Sequence, residues 1–93
     1  MFKINSYYDG RVQSIGFETP EGKASVGVME EGEYEFATSQ KEIMKFTSGA
    51  YLVKLPGACC FREIPLNEPF EVAAGEKFQV KITQTASYIC LYR

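Results

Sequence analysis

Alternation with a period of two constrains this chain more than any other feature. In KFQVKIT, residues 77–83, Phe78, Val80 and Ile82 share one face, and Lys77, Gln79, Lys81 and Thr83 share the other. Side chains of a strand point alternately to opposite faces, so this run reads as a half-buried β-strand. RVQSIGF, KASVGVM, GEYEFAT, AYLVKL, FEV and SYICLY are further short runs rich in β-branched and aromatic residues. Turn signals separate them: Asp9-Gly10, Pro20-Glu21-Gly22, Glu31-Gly32, Ser48-Gly49, Pro56-Gly57 and Ala74-Gly75. Short strands at this spacing predict an all-β sandwich or barrel. Only SQKEIMKF, 39–46, could form a helical turn, and flanked by strands it reads as a turn followed by a strand.

At 93 residues the chain is expected to be a single domain spanning 1–93. Its 10 basic and 12 acidic residues are interspersed and leave a net charge of −2. No basic stripe offers the electrostatic footprint of a nucleic-acid binder. No apolar run approaches the ~20 residues of a membrane span. The start, MFKINSYYDG, lacks the apolar segment of a signal peptide, so a cytoplasmic protein without membrane partners is expected. Cys59, Cys60 and Cys90 are an odd number, which argues for reduced thiols. Were Cys59 and Cys60 neighbours in a strand, they would point to opposite faces and chelate a metal poorly.

The inward faces follow from the alternation. Tyr34, Phe36 and Thr38 oppose Glu33, Glu35 and Ala37, and the aromatic face is the interior candidate. Tyr88, Cys90 and Tyr92 oppose Ser87, Ile89 and Leu91; both faces are apolar, which suggests a second sheet or a partner subunit on the outer one.

The spacing resembles that of the cupins, small barrels whose first motif places two His one residue apart, then Glu, then Gly. Here Phe36, Thr38, Glu42 and Gly49 stand at those positions. The second motif, Pro-x-Gly-x-x-His, is matched by Ala73 to Phe78 around Gly75. Three of the four ligand positions have therefore become Phe36, Thr38 and Phe78, and only Glu42 could still ligate. A transition metal needs three or four converging donors, so no metal and no cofactor is expected. With no His in the chain, a Ser-His or Cys-His nucleophile is also excluded. What remains is an aromatic lining with sparse polar tips. Such a lining suits a small planar ligand, and it equally suits the filled core of a small barrel.

SIGFETPEGKASVGVMEEGEYEFAT, SGAYLVKLPG, FEVAAGEKFQV and SYICLYR together resemble the bacterial pyrimidine/purine nucleoside phosphorylases, from about Tyr7 to Tyr92. The resemblance implies a cupin-like jelly-roll barrel, a homodimer and no cofactor. It also implies phosphorolysis of purine and pyrimidine nucleosides to free base and ribose 1-phosphate. Phosphate is then the nucleophile, and the site needs donors for it, an acceptor for the ribose hydroxyls and an aromatic platform for the base. Lys23 with Ser25 is the first candidate for phosphate and Arg11 the second. Glu42 is the candidate for the ribose hydroxyls or the sugar cation, with Glu33 the alternative if the strand face is reversed. Tyr34, Phe36, Phe78, Tyr88 and Tyr92 are candidates for the base pocket, and Thr38 for phosphate or sugar. Each has a plainer reading: solvated lysine, loop-end carboxylate, barrel core. Two other functions stay open, a metal-free cupin that only binds a small aromatic ligand and a silent dimer acting through protein contacts.

Overall fold

The computed structural model describes residues 2–93, and every regular element in it is a strand. These are β1 (Lys3–Tyr7), β2 (Val12–Thr19), β3 (Gly22–Met29), β4 (Gly32–Ala37), β5 (Glu42–Lys54), β6 (Phe70–Val72) and β7 (Lys77–Tyr92). All pairings between strands are antiparallel, in the order β1-β2-β3-β7-β5-β6, with β4 also on β7.

β7 organises the sheet. β4 pairs with its first part, Lys77–Ile82, and β3 with its last part, Ala86–Leu91. β5 runs along the other edge from Gln79 to Tyr92. The sheet therefore forks along one edge of β7 and curls there. The hydrogen-bond ladder does not close into a ring. Instead a side chain reaches across the gap: Tyr8 Oη donates to the Glu35 carbonyl at 2.6 Å and accepts from the Glu35 amide at 3.1 Å. Tyr8 follows β1 directly, and its ring packs on Tyr34 and Phe36 of β4.

Two runs that the turn signals separate are continuous. EIMKF and AYLVK belong to the single strand β5, and Ser48-Gly49 is a bulge rather than a turn. Gly49 has φ +95°, and a Cβ there would collide with the Thr85 carbonyl and Ala86. An extra residue in one strand bends it and increases its twist, which lets β5 follow β7 around the curl. KFQVKIT and SYICLY likewise join as β7. The reading of 39–46 as a turn followed by a strand holds, since β5 begins at Glu42.

The inward faces are those the alternation indicates. Phe78, Val80 and Ile82 are buried while Lys77, Lys81 and Thr83 are exposed. One part of the interior is solid: Phe46 stacks on Tyr51 with centroids 3.9 Å apart, beside Phe70. Tyr51 Oη donates to the Ile64 carbonyl, so its burial leaves no polar atom unpaired. On the outer face a row of directly paired apolar residues crosses four strands: Ile4, Ile15, Val26 and Ile89. The first three are exposed.

Two glycines with positive φ separate steric from conformational cost. Gly57 (φ +77°) has nothing within 4 Å of an added Cβ, unlike Gly49. Gly57→Ala should cost about 1–2 kcal/mol, the left-handed penalty alone. Gly49→Ala should cost about 3 kcal/mol or more, because the backbone of β7 must also move. Urea unfolding midpoints measure both, and equal losses would show that the bulge is not tightly held.

Candidate active site

Away from the Phe46–Tyr51 stack the interior opens into a hollow of about 520 Å³. β4 supplies Phe36, and β7 supplies Phe78, Tyr88, Cys90 and Tyr92. Glu42 and Met44 come from the start of β5, Ser14 from β2 and Met29 from β3; Tyr7 and Tyr8 stand at the rim. The register builds this in rows. Glu42 pairs with Tyr92, Met44 with Cys90 and Phe46 with Tyr88. On its other side Tyr88 pairs with Gly27. The Tyr88 ring lies so close over Gly27 that a Cβ there would come within 2.6 Å of it.

Among the titratable groups on the hollow's wall, burial shifts Glu42, Tyr88, Cys90 and Tyr92. The Cys90 thiol donates to Glu42 Oε1 at 3.3 Å. Burial raises the Glu42 carboxyl above its ordinary value, and the thiol's hydrogen bond opposes that rise. Burial, reinforced by the nearby Glu42 charge, pushes the Cys90 thiol up. Burial likewise raises the Tyr92 phenol, against a hydrogen bond with Ser25. Tyr88 is pushed up to about 12 by burial, with the Ser14 hydroxyl opposing. At neutral pH these thiol and phenol groups are protonated donors around the Glu42 carboxyl. Among the described residues no Lys or Arg lines this hollow. It can stack a planar ring on Phe36 and Phe78 and exchange hydrogen bonds with hydroxyls, but it holds no cation for an anion.

Five of the residues singled out in the sequence meet here: Phe36, Glu42, Phe78, Tyr88 and Tyr92. Tyr34 lies in the buried core, its hydroxyl donating to the Glu30 carbonyl at 2.7 Å. Thr38 Oγ1 donates to the Ala73 carbonyl at 2.6 Å and accepts from the Glu76 amide at 3.0 Å. It thus ties the end of β4 to the turn before β7. Ser25 is buried with its Oγ 2.8 Å from Tyr92 Oη. Lys23 faces an adjoining hollow of about 670 Å³. Arg11 sits over the Tyr34 ring, 5.5 Å from its centroid, and donates to the Glu31 carbonyl at 2.7 Å. Glu33 is exposed opposite Lys81.

Tyr7, Tyr8, Ser14, Glu35 and Cys90 also line the first hollow. Cys90 was legible, since it shares a face with Tyr88 and Tyr92. Ser14 shares one with Val12 in the same way. Tyr8 was not, because it acts from a turn with φ +53° where alternation says nothing. The strand geometry expected for Cys59 and Cys60 does not apply. They lie exposed in a bend, with their Sγ atoms 3.7 Å apart on one side. Among the described residues no three His, Cys, Asp or Glu side chains converge as a metal site.

Residues 2–92 match the family described as pyrimidine/purine nucleoside phosphorylase. A protein of that name from Pseudomonas putida (strain W619) is 52% identical over 93 residues, covering 100% of this chain and 99% of its own. A crystal structure of a protein of unknown function from Vibrio parahaemolyticus superposes with a TM-score of 0.91 at 36% identity, covering 97% of this chain and 96% of the other. A cupin from Shewanella frigidimarina superposes with a TM-score of 0.71 at 13% identity, covering 97% and 81%; it shares the fold alone. The all-β, cupin-like class expected from the sequence is therefore the fold observed.

The environment of Glu42 predicts a pH dependence. Its pKa is raised in the folded state, so folding is favoured by its protonated form. That contribution is present below the unfolded value of 4.5 and is lost as pH rises through the folded value. Glu42→Gln should remove this loss. The urea midpoint of the variant relative to the native protein should rise between about pH 4 and about pH 7. A difference that stays flat over this range would mean the carboxyl is not desolvated.

Proposed function

The chain belongs to the pyrimidine/purine nucleoside phosphorylase family, and from that membership we propose that it exchanges the base of purine and pyrimidine nucleosides for inorganic phosphate. The C1′–N bond breaks with its electron pair leaving on the base, and a phosphate oxygen forms the new bond to C1′. The products are free base and ribose 1-phosphate. The carrying observation is the half-buried Glu42 carboxyl, set in an aromatic hollow of nucleoside size.

On this reading the base stacks against the wall that Phe36 and Phe78 form together. Their centroids are 5.6 Å apart on the hollow's wall. Stacking tolerates either base class because every base has a π-face. Glu42 accepts from the ribose hydroxyls and stabilises positive charge on the sugar as the bond breaks, as carboxylates do in glycoside cleavage. Tyr88 and Tyr92, held protonated, donate to the sugar. Thr38 shapes the site from behind through the 73–76 turn, and Tyr34 through its packing on Phe36. The phosphate oxygen is the nucleophile, so the scheme asks for neither His nor a metal. The outer apolar row from Ile4 to Ile89 supports a homodimer. We place the activity in the cytoplasm, in keeping with the interspersed charges of the sequence.

One observation favours a second reading: among the described residues no cationic side chain lines the hollow. A barrel that only binds a small aromatic ligand would look the same there. The assay that separates them incubates protein with uridine, adenosine and inosine, with and without inorganic phosphate, and follows base release by chromatography. Phosphate-dependent release of both base classes is expected, falling about 100-fold or more in Glu42→Ala. Tight nucleoside binding with no release would establish the binding-only reading.

A further inference from the structure

A phosphate dianion would enter the first hollow against Glu42 and Glu35, with no Lys or Arg to hold it. The adjoining hollow has the opposite balance. Lys3 and Lys23 line it with Glu18 as its one carboxylate, and Asn5 and Ser25 add neutral polar groups. Arg93 Nη1 donates to the carbonyls of Lys23 at 3.2 Å and Tyr92 at 2.9 Å, which puts a third cation at its edge. Among the described residues the one ion pair is Lys41–Glu71, so neither Lys3 nor Lys23 is held by a carboxylate.

The two hollows lie on one face of one sheet. Lys3 pairs with Gly16, Gly16 with Ser25, Ser25 with Cys90 and Cys90 with Met44. Paired residues share a face, so this row runs from a cation, over a gap, to a hydroxyl and then into the first hollow. Gly16 makes the gap: an added Cβ would meet nothing closer than the Lys3 carbonyl at 3.8 Å. Tyr7 and Tyr92 line both hollows. Between them runs a chain of short contacts, Ser25 Oγ to Tyr92 Oη at 2.8 Å on one side and Cys90 Sγ to Glu42 Oε1 at 3.3 Å on the other.

We infer that the hollow over Gly16 is the subsite for a tetrahedral oxyanion, inorganic phosphate, held by Lys3 and Lys23 with Asn5 and Ser25, and that Tyr92 marks its boundary with the nucleoside. The inference rests on the phosphorolytic reading and adds to it Lys3 and Asn5 of β1. It divides the substrates by charge. The neutral nucleoside takes the half with the carboxylates and aromatic walls, and the dianion takes the half with the lysines. A phosphate in this place adjoins the sugar across Tyr92.

The test reads binding without turnover. Inorganic phosphate is titrated into isotope-labelled protein at constant ionic strength, and amide shifts are followed by nuclear magnetic resonance. Saturable shifts are expected at residues 3, 5, 16 and 23. Half-saturation should weaken about tenfold or more in Lys3→Gln/Lys23→Gln, whose exposed side chains leave the core intact. Gly16→Val, which fills the gap, should abolish the shifts. In turnover, the double variant should raise KM for phosphate by a similar factor and leave KM for the nucleoside within about twofold. Shifts that are absent, that map to the Glu42 hollow, or that survive all these changes would overturn the subsite. Shifts with uridine 5′-monophosphate but none with inorganic phosphate would also overturn it, assigning the lysines to a nucleotide's own phosphate. Absence of base release from the native protein would count against the phosphorolytic reading, while the titration still decides the subsite.

Discussion

The structure depends on one continuous strand paired along both of its edges. β7 spans Lys77–Tyr92, and each of the other long strands either pairs with it or pairs with a strand that does. Two strands of opposite placement, β4 and β3, share one edge, which forces the fork between Ile82 and Ala86. The bulge at Ser48-Gly49 on the other edge answers that fork. Without the bulge β5 would run straight and lose either Glu42–Tyr92 or Val53–Val80. The site therefore depends on a backbone irregularity more than 5 residues away in sequence from Glu42 itself.

The same strand explains why the hollow is chemically quiet and still polar. Its inward residues are Phe78, Val80 and Ile82 at one end and Tyr88, Cys90 and Tyr92 at the other. Polar tips thus appear only where β3 and the start of β5 flank it. Each has a partner: Ser25 for Tyr92, Glu42 for Cys90, Ser14 near Tyr88. Among the described residues no buried side-chain N or O is left unpaired. A polar wall that is internally satisfied can stay in place without ligand, which favours a preformed site.

Much of this was legible in the sequence. Alternation identified the inward faces of β4 and β7 correctly, because register is strongly specified where one face is buried. It also brought Phe36, Phe78, Tyr88 and Tyr92 forward, the cupin spacing brought Glu42, and these five do meet. Two things were hidden. The bulge was read as a turn because Ser-Gly serves both, and only the partner strand distinguishes them. β1 was missed because Lys3–Tyr7 alternates weakly and lies at the sheet edge. With β1 went Tyr7, Lys3 and Asn5, so Lys23 was grouped with Ser25 alone and the other residues of their hollow were not seen.

The departure from the cupin motif now has a structural meaning. Phe36 and Phe78 stand across a strand pair from each other, and Glu42 joins them at the same hollow. The skeleton still makes these positions converge, but convergence of two phenyl rings and a carboxyl has a different chemical use. Two imidazoles there would bind a metal and create charge at the centre. Two phenyl rings lower the local polarity, strengthen the Coulomb effect of the Glu42 carboxyl, and leave a flat wall for a base. A reaction whose nucleophile arrives with the substrate suits such a site. It needs orientation and charge stabilisation from the protein and no nucleophile of the protein's own.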